Sequence, residues 1–384
     1  MKQRLIALAQ EKKTPFYYYD IELLNRTIAQ LIEDSKVFSV PVHIHYALKA
    51  NTNLKLLQLI QKNGLGADCV SGGEIMDATE AGFSPKEIVF AGVGKADWEI
   101  ELALKNNIFA FNVESIEEIE VIGELAKKNG RVAQLALRIN PQLKVHTHAN
   151  IATGQAENKF GIPIRDLESC LEAIGQSSSV DLIGLHFHIG SQILLMDDFI
   201  QLASRVNEIL VFLENKNIYI KHLNLGGGLG IDYKTPDCHP IADFASYFRV
   251  FQEHLAIRSY QELHFELGRS VIAQCGNLIT KVLYTKRGID RDFLILDAGM
   301  TDLMRPALYQ AQHKIENISS LSCEQKRYDV VGPICESSDV FDRGVELPVT
   351  QRGDVIVIRS AGAYGEVMAS TYNSRELPKS YFSE

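Results

Sequence analysis

The sequence has no excess of positive charge. Its 39 lysine and arginine residues are outnumbered by 48 aspartate and glutamate residues, which gives a formal net charge of -9 at pH 7. Proteins that bind nucleic acid or an anionic membrane over a broad surface carry clustered positive charge there, so neither partner is expected. A local cationic pocket remains compatible with this balance, because net charge describes the whole surface and not one site.

Long apolar runs are also missing. No stretch approaches the roughly 20 apolar residues of a transmembrane helix. The apolar residues 5–9, which follow a basic start, are too few for the core of a signal peptide. We therefore predict that the segment forms an amphipathic first helix and that the chain is not a membrane protein.

Cysteine is sparse and irregularly spaced. None of the six residues forms a C-x-x-C pair, the spacing typical of redox motifs and zinc sites. We predict neither a disulfide framework nor a bound metal, and we expect a reducing compartment, with the cytoplasm as the default. The six residues are Cys69, Cys170, Cys238, Cys275, Cys323 and Cys335.

Eight strand-like apolar runs, separated by segments of helical periodicity, fill the first two thirds of the chain. Alternation of strands and helices predicts a parallel sheet. Eight repeats over about 240 residues match a (β/α)8 barrel, which typically takes ~250 residues. The runs are His43–Leu48, Gly66–Val70, Glu87–Ala91, Ile108–Val113, Ala133–Ile139, Leu182–Ile189, Tyr219–Leu225 and Glu262–Leu267.

An open, doubly wound sheet is the rival architecture. It would need a glycine-rich turn after its first strand, whereas Lys49-Ala50-Asn51 occupies that place here. The barrel is therefore the favoured fold for this part of the chain.

The pattern of predicted elements changes after about residue 270, where strand-like segments follow one another without long helices between them. These segments are Ser270–Thr285, Phe293–Asp297, Asp329–Val331 and Asp354–Arg359. Pro15–Tyr19 is also strand-like and precedes the barrel. We predict an α/β protein with a barrel over residues 24–269 and a β domain that joins residues 270–384 to the N-terminal segment 1–23.

Chemically distinctive residues follow the predicted barrel strands. Catalytic residues of such barrels lie at the carboxyl ends of the strands, and polar side chains concentrate at these ends rather than at the opposite ones. The residues are Lys49, Asp68, Ser71, Arg138, Asn140, His186, His188, Gly190, Ser191, Gly226, Gly227, Gly228, Glu266, Gly268 and Arg269.

Three of these features together predict pyridoxal phosphate as a cofactor. A lysine at the mouth of a buried strand, such as Lys49, loses proton affinity and can condense with an aldehyde. The triplet Gly226–Gly228 between a strand and a helix can cradle a phosphate through bare N–H groups. Glu266, in an apolar run, can face a pyridine nitrogen and keep it protonated.

Two other groups of polar residues can be explained by structure alone, without a role in binding or catalysis. A histidine such as His188 is, taken alone, more often a hydrogen-bonded core residue than a functional one. His146-Thr147-His148 could suggest a metal pair, but no cysteine or carboxylate set completes it. We therefore predict that residues 146–148 form a polar loop.

The ordered motifs of the chain resemble those of pyridoxal phosphate-dependent decarboxylases of the alanine-racemase-like fold group, and within it the diaminopimelate decarboxylase family. The resemblance covers nearly the whole chain; the family usually has Pro where Leu267 stands here. The motifs are Tyr46–Asn51, Val70–Glu74, His186–Gln192, Gly226–Gly230, Glu266–Arg269, Asp302–Tyr309, Gly332–Asp339 and Gly362–Gly365.

The resemblance implies a role for each matching residue. Lys49 would hold the cofactor covalently, His188 would stack on its ring with Ser191 and Asp68 nearby, and Glu266 would face the pyridine nitrogen. The phosphate would be bound by Gly227, Gly228, Gly268, the backbone of Arg269 and the hydroxyl of Tyr364.

The resemblance also implies a homodimer with shared active sites. The segment Cys335-Glu336 would enter the site of the other subunit, where Cys335 would return a proton to the substrate carbon after decarboxylation.

The substrate implied is meso-2,6-diaminopimelate, with L-lysine and carbon dioxide as products. Its distal end carries both a carboxylate and an ammonium. Arg269 and Arg305 can bind carboxylates bidentately, Glu336 can bind the ammonium, and Tyr309 and Tyr364 can add hydrogen bonds.

Other functions stay open at this point. Ornithine, arginine or carboxynorspermidine could be the substrate, although the ornithine enzymes have Asp after the cysteine. An amino-acid racemase shares the fold, and a decarboxylase homologue that only binds a partner is the non-enzyme alternative. The presence of both Lys49 and Cys335 argues against the last.

Overall fold

The computed structural model describes residues 2–143, 154 and 158–384. Residues 146–148, predicted to be a polar loop, lie outside the described residues. The chain divides into two compact units. The barrel unit comprises Ile28–Gly230 and Asp243–Gly268, and the β unit comprises Met1–Thr27, Ile231–Ala242 and Arg269–Glu384. The domain limits predicted from the sequence, 24–269 and 1–23 with 270–384, stay a prediction.

The strands and helices are numbered in chain order. The strands are β1 (Phe16–Tyr19), β2 (Val42–Ala47), β3 (Gly66–Cys69), β4 (Ile88–Phe90), β5 (Ala110–Val113), β6 (Ala133–Asn140), β7 (Ile162–Pro163), β8 (Val180–His186), β9 (His222–Asn224), β10 (Glu262–Leu267), β11 (Gly276–Arg287), β12 (Asp292–Leu296), β13 (Ile315–Asn317), β14 (Gln325–Val331), β15 (Val340–Pro348), β16 (Val355–Ile358) and β17 (Lys379–Phe382). The helices are α1 (Lys2–Glu11), α2 (Ile21–Ser35), α3 (Leu54–Lys62), α4 (Gly72–Ala81), α5 (Asp97–Asn106), α6 (Ile116–Lys128), α7 (Leu167–Gln176), α8 (Met196–Glu214), α9 (Phe244–His254), α10 (Arg269–Ile272) and α11 (Arg305–Tyr309).

The barrel unit contains a closed ring of eight parallel strands. Its order is β5-β4-β3-β2-β10-β9-β8-β6, and pairing of β5 with β6 closes the ring. The first and last strands, β2 and β10, pair from Leu263 opposite Val42 to Leu267 opposite Tyr46. All eight strand runs predicted from the sequence are confirmed, with limits shifted by a few residues, and so is the (β/α)8 barrel.

The barrel helices form where apolar residues recur every three or four positions. In α8 the side chains of Phe199, Leu202 and Val206 are buried on one face. The helix α4 begins after Ser71, whose Oγ accepts a hydrogen bond of 3.2 Å from the Glu74 amide. Such an N-terminal cap fixes where the helix starts, and it places the loop after β3 beside the carboxyl end of the barrel.

The β unit is built on one mixed sheet. Its order is β13-β16-β11-β12-β14-β15, and β1 pairs antiparallel with β11 and parallel with β17. The predicted strand near residues 15–19 therefore does complete the C-terminal β structure. The apolar side chains of Leu5 and Ala9 from α1 pack with Phe16, Tyr18 and Ile279 in its core.

The strand predicted over residues 270–285 is only partly correct. Residues Arg269–Ile272 form the short helix α10, and the strand β11 starts at Gly276. A side chain at Gly276 would lie 2.3 Å from the Cα of Gly362, so the chains approach too closely there for any other residue. The sequence analysis also missed β13, β15 and β17. None of the described helices is long and apolar enough to cross a membrane.

Candidate active site

Lys49 lies immediately after β2, in the single helical turn Leu48–Ala50. Its Nζ donates a hydrogen bond of 3.1 Å to Oδ2 of Asp68, the buried third residue of β3. The other carboxylate oxygen of Asp68 is buried and has no hydrogen-bond partner in the described part of the chain. Burial raises the pKa of Asp68, the charge of Glu266 acts in the same direction, and Lys49 opposes both.

Glu266 is held at the centre of the barrel unit by donors from three other strands. Its Oε1 accepts hydrogen bonds from Asn112 Nδ2 at 3.0 Å and from Asn224 Nδ2 at 2.7 Å. Its Oε2 lies 2.8 Å from Nε2 of His186. A carboxylate offers about four acceptor positions, so these three bonds leave one on Oε2 for a further donor.

The protonation state of Glu266 follows from this surrounding. Burial would raise its pKa, but the charge and hydrogen bond of His186 lower it below the ordinary value, so the carboxylate stays ionised. Asn112 and Asn224 were not predicted from the sequence. Their signal is weak, a single amide in an apolar strand of three or four residues.

His188 and the glycine triplet meet at the carboxyl ends of β8 and β9. The amide of Gly227 donates to Nδ1 of His188 at 3.3 Å. Burial, with a contribution from the charge of Lys49, lowers the pKa of His188 well below its ordinary value. The ring is therefore neutral, which is the state that lets Nδ1 accept a hydrogen bond.

The glycines at this end are required by close backbone approach. A side chain on Gly227 would lie 1.8 Å from the carbonyl oxygen of Glu266, and Gly228 adopts a φ of +102°. The Gly228 carbonyl accepts a hydrogen bond of 2.9 Å from the Ile193 amide, which ties this turn to the loop that carries half-buried Ser191. Bare N–H groups in such a turn suit a phosphate.

Gly268 lies against the turn that carries Lys49. A side chain there would lie 3.0 Å from the Cβ atoms of Ala47 and Ala50. The structure therefore brings together all of the predicted site residues in the barrel unit: Lys49, Asp68, His188, Ser191, Gly227, Gly228, Glu266 and Gly268. The unpaired Asp68 oxygen, the remaining acceptor position on Glu266 and the glycine turn fit pyridoxal phosphate.

In the β unit, Arg269 and Arg305 are both buried around Tyr233. Arg269 Nη1 donates to the Tyr233 hydroxyl at 2.8 Å, and the Arg269 guanidinium lies 4.8 Å from the centre of the Tyr364 ring. The Arg305 guanidinium lies 4.6 Å from the centre of the Tyr233 ring. Tyr309 follows Arg305 by one turn of α11, so the two share a helix face.

Arg305 is bonded to a neutral histidine. Its Nη1 lies 2.8 Å from Nε2 of His313, whose Nδ1 donates to the carbonyl of Arg359 at 2.9 Å. Burial and the neighbouring Arg305 charge lower the pKa of His313 to about 3. Arg305 Nε is buried without a hydrogen-bond partner among the described residues. A buried guanidinium beside a neutral histidine and a second guanidinium, Arg269, is costly unless an anion joins it.

The sequence analysis did not single out Tyr233 and His313, which contact the buried arginines Arg269 and Arg305. Neither lies in a predicted motif. Their position beside the arginines depends on tertiary contacts, 36 positions apart for Tyr233 with Arg269 and 8 for His313 with Arg305, for which the sequence carries no local signal.

Cys335 and Glu336 lie on an exposed turn between β14 and β15. Asp339 holds this turn by accepting hydrogen bonds from the amides of Ile334 at 2.7 Å and Met300 at 2.6 Å. In the described part of the chain, no hydrogen bond or ion pair joins the side chain of Cys335 or Glu336 to Arg305. Both residues are exposed in this protomer.

Comparison with known proteins places this arrangement in a family. Residues 24–273 match the family model described as pyridoxal-dependent decarboxylase, pyridoxal binding domain. Diaminopimelate decarboxylase of Bacteroides thetaiotaomicron is 57% identical over 373 residues, which is 97% of this chain and 96% of that protein.

Solved structures agree with the sequence comparison. The diaminopimelate decarboxylase of Helicobacter pylori in complex with L-lysine has a TM-score of 0.91 and 40% identity, and the match covers 98% of this chain and 93% of that one. The diaminopimelate decarboxylase of M. jannaschii, also in complex with L-lysine, has a TM-score of 0.89 and 36% identity, and the match covers 98% of this chain and 89% of that one. The chain therefore belongs to the pyridoxal-dependent decarboxylases and, within them, to the diaminopimelate decarboxylase family.

Proposed function

We propose that this chain decarboxylates meso-2,6-diaminopimelate to L-lysine and carbon dioxide, the last step of lysine biosynthesis, with pyridoxal phosphate as cofactor. The observation that carries the proposal is the pairing of Lys49, at the mouth of the barrel, with buried Asp68. Family membership and the identity of 57% to a diaminopimelate decarboxylase support the choice of reaction.

The barrel unit would hold the cofactor. Lys49 would bind it covalently, and Gly227, Gly228 and Gly268 would bind its phosphate. The resemblance adds the Arg269 backbone and the Tyr364 hydroxyl of the β unit as further phosphate ligands. His188, a neutral ring, would stack on the pyridine, with Ser191 and Asp68 beside it. When bound, pyridoxal phosphate supplies an electron sink for the pair left on the substrate carbon as carbon dioxide leaves.

Glu266 would control the charge at the pyridine nitrogen. Because three donors fix the carboxylate and His186 keeps it ionised despite its burial, its remaining acceptor position can take a hydrogen bond from a protonated ring nitrogen. A preorganised charge of this kind stabilises the electron-rich stage of the reaction without any movement of the protein.

The β unit would recognise the substrate. The buried guanidinium groups of Arg269 and Arg305 would bind substrate carboxylate, and Tyr309 and Tyr364 would add hydrogen bonds. Glu336 would bind the distal ammonium. This combination distinguishes diaminopimelate from diamine precursors that lack a distal carboxylate.

The exposed turn supports a homodimer with shared active sites. Cys335 would enter the site of the neighbouring subunit and return a proton to the carbon that has lost carbon dioxide. The six cysteines are all free in the structure, which supports the proposal that the enzyme acts in the reducing cytoplasm.

A substrate panel tests the proposed reaction. Purified protein loaded with pyridoxal phosphate is given meso-diaminopimelate, ornithine, arginine or carboxynorspermidine separately, and carbon dioxide release is measured. We expect release from diaminopimelate, at least tenfold faster than from the other three, together with an equal amount of L-lysine. Faster release from any other member of the panel would overturn the substrate assignment.

A further inference from the structure

A second polar cluster lies at the amino-terminal end of the barrel strands, opposite to Lys49. The rim cluster consists of His43 and His45 at the start of β2, His222 at the start of β9, and Glu262 and His264 at the start of β10. The sequence analysis predicted that polar residues concentrate at the carboxyl ends rather than at these ends, so this cluster is a departure from it. None of the five residues takes part in the proposed reaction.

Strand register brings the cluster together. His264 pairs with His43 across β10 and β2, and Glu262 pairs with His222 across β10 and β9. One side-chain ligand atom from each of His43, Glu262 and His264 lies within 4.8 Å of the other two. The cluster thus links the first, seventh and eighth strands of the ring.

Hydrogen bonds fix which nitrogen of His264 carries a lone pair. His45 Nδ1 lies 3.1 Å from the carbonyl oxygen of Glu87, which can only accept, so this nitrogen carries the proton. In a neutral ring His45 Nε2 is then an acceptor, and it takes the proton of His264 Nδ1 at 2.9 Å. His264 Nε2 is left with its lone pair.

That lone pair points toward the other members of the cluster. His264 Nε2 lies 3.1 Å from His222 Nδ1, which lies 3.8 Å from Oε2 of Glu262. The same Oε2 lies 2.9 Å from His43 Nε2, while Oε1 is bonded to Lys221 at 2.9 Å. Ligand atoms 2.0–2.2 Å from a tetrahedral zinc ion are about 3.4 Å apart. The ligand atoms of His43, Glu262 and His264 all lie within 4.8 Å of one another, which is close to that spacing.

The hydrogen bonds around His264 resemble those of metal-binding histidines. A ligating imidazole almost always donates its other N–H to a fixed acceptor, which sets its tautomer and orientation. His264 donates to His45, and His45 donates to the Glu87 carbonyl. The Phe109 ring stacks on His264 with centroids 5.2 Å apart and restricts its rotation.

The cluster is open to ions from solvent. A cavity of about 320 Å³ is lined by His43, His45, Glu262 and His264 among others. The His43 side chain is 46% exposed, so it can adjust its ring to an ion with little loss of packing. Imidazole nitrogens with one carboxylate suit zinc and neighbouring transition metals better than magnesium or calcium.

We propose that His43, Glu262 and His264 bind one zinc ion at the amino-terminal rim of the barrel, with His222 placed to complete a tetrahedral set. The proposal departs from the sequence analysis, which predicted no bound metal from the cysteine spacing. The ion would join β2 to β10, with β9 beside them, and its role is to stabilise the barrel at the end of the strands opposite to Lys49.

Zinc titration of the intact enzyme tests the site. Protein loaded with pyridoxal phosphate is stripped with a chelator, and zinc binding is then measured by calorimetry and by metal analysis after gel filtration. Wild type should retain about one zinc per chain, and zinc should raise its Tm. His43→Ala, at a half-exposed position, should bind zinc at least about tenfold more weakly and show no rise in Tm.

A matched variant and a spectroscopic probe complete the test. His254→Gln removes an exposed histidine of the same unit at the end of α9 and should bind zinc like wild type. Cobalt should give the visible absorption of a tetrahedral site in wild type, and this absorption should be absent from His43→Ala. No retained zinc in wild type, or equal zinc binding by all three proteins, would overturn the proposal.

Discussion

Lys49 and Asp68 form a hydrogen-bonded pair in which one partner is accessible and the other is not. The two atoms Nζ and Oδ2 are 3.1 Å apart, and the Lys49 side chain is 36% exposed whereas that of Asp68 is 0% exposed. The buried carboxylate fixes the position of the amine, and the exposure of the lysine leaves that amine open to an aldehyde. This combination is what a cofactor-binding lysine requires.

Replacement of Glu266 by Gln should slow the reaction and leave the cofactor bound. The glutamine side chain keeps the shape of glutamate but removes its negative charge. Its N–H₂ group can only donate, so it cannot replace the oxygen that accepts hydrogen bonds from Asn112 and Asn224. A charge-assisted hydrogen bond contributes about 1.5–3 kcal/mol, so kcat should fall by roughly 10- to 100-fold. Glu253→Gln, on the exposed face of α9, is the control. Near-normal kcat in Glu266→Gln would refute the electronic role.

Replacement of Arg305 by Lys should weaken substrate binding. Lysine replaces a planar fork by a point charge and cannot bind a carboxylate bidentately. We expect the KM for diaminopimelate to rise at least about tenfold, with the affinity for pyridoxal phosphate unchanged. Steady-state kinetics and cofactor titration measure the two effects. If Arg305 contacts only protein, the variant will instead lose thermal stability and keep its KM.

His313 should make the folded protein sensitive to acid. Its folded pKa of about 3 lies below the ordinary 6.5, so between these values the unfolded chain binds the additional proton. Stability is therefore lost as the pH falls below 6.5, by at most about 1.4 kcal/mol per pH unit. His313→Gln can keep both hydrogen bonds, to Arg305 and to the Arg359 carbonyl, but cannot be protonated.

The Tm of wild type and of His313→Gln is measured between pH 7.5 and pH 5. In the unfolded chain the histidine is mostly deprotonated at about pH 7.5 and mostly protonated at about pH 5. The Tm of the variant should fall less on acidification than that of wild type. Parallel curves for the two proteins would show that the neutral state of His313 contributes nothing to acid sensitivity.

Complementation between inactive subunits should reveal where Cys335 acts. Lys49→Ala and Cys335→Ala proteins are mixed in equal amounts under conditions of demonstrated subunit exchange. About half of the dimers would be hybrids with one intact site of two, so activity should return to roughly a quarter of wild type. Absence of recovery would mean that Cys335 serves its own subunit or takes no part in the chemistry.

The barrel was predictable because most residues of its strands are buried, fully so in β3, β4 and β5, and the strands form short apolar runs in the sequence. The strand β15 was missed because Asp342, Arg343 and Gly344 interrupt its pattern in the middle, as the partly exposed face of a hairpin allows. Local periodicity cannot identify such a strand, since its partner β14 specifies it through pairing.

The sequence predicted those site residues whose type is unusual at their position in a strand or turn. Lys49, Glu266 and the glycine triplet stand out from the strands that they follow. Asn112 and His313 do not, because their importance lies in what they contact: an asparagine becomes significant only beside Glu266, and a histidine only beside Arg305. These contacts join residues 154 and 8 positions apart in the chain.

The most direct test of the account is to trap the cofactor on its lysine. The enzyme is loaded with pyridoxal phosphate and reduced with borohydride, which makes the link to the lysine amine permanent, and the modified peptide is identified by mass spectrometry. The account predicts the modification on Lys49, and it predicts that Lys49→Ala has neither the modification nor turnover. Modification of another lysine in wild type, or decarboxylation by Lys49→Ala at an appreciable rate, would contradict it.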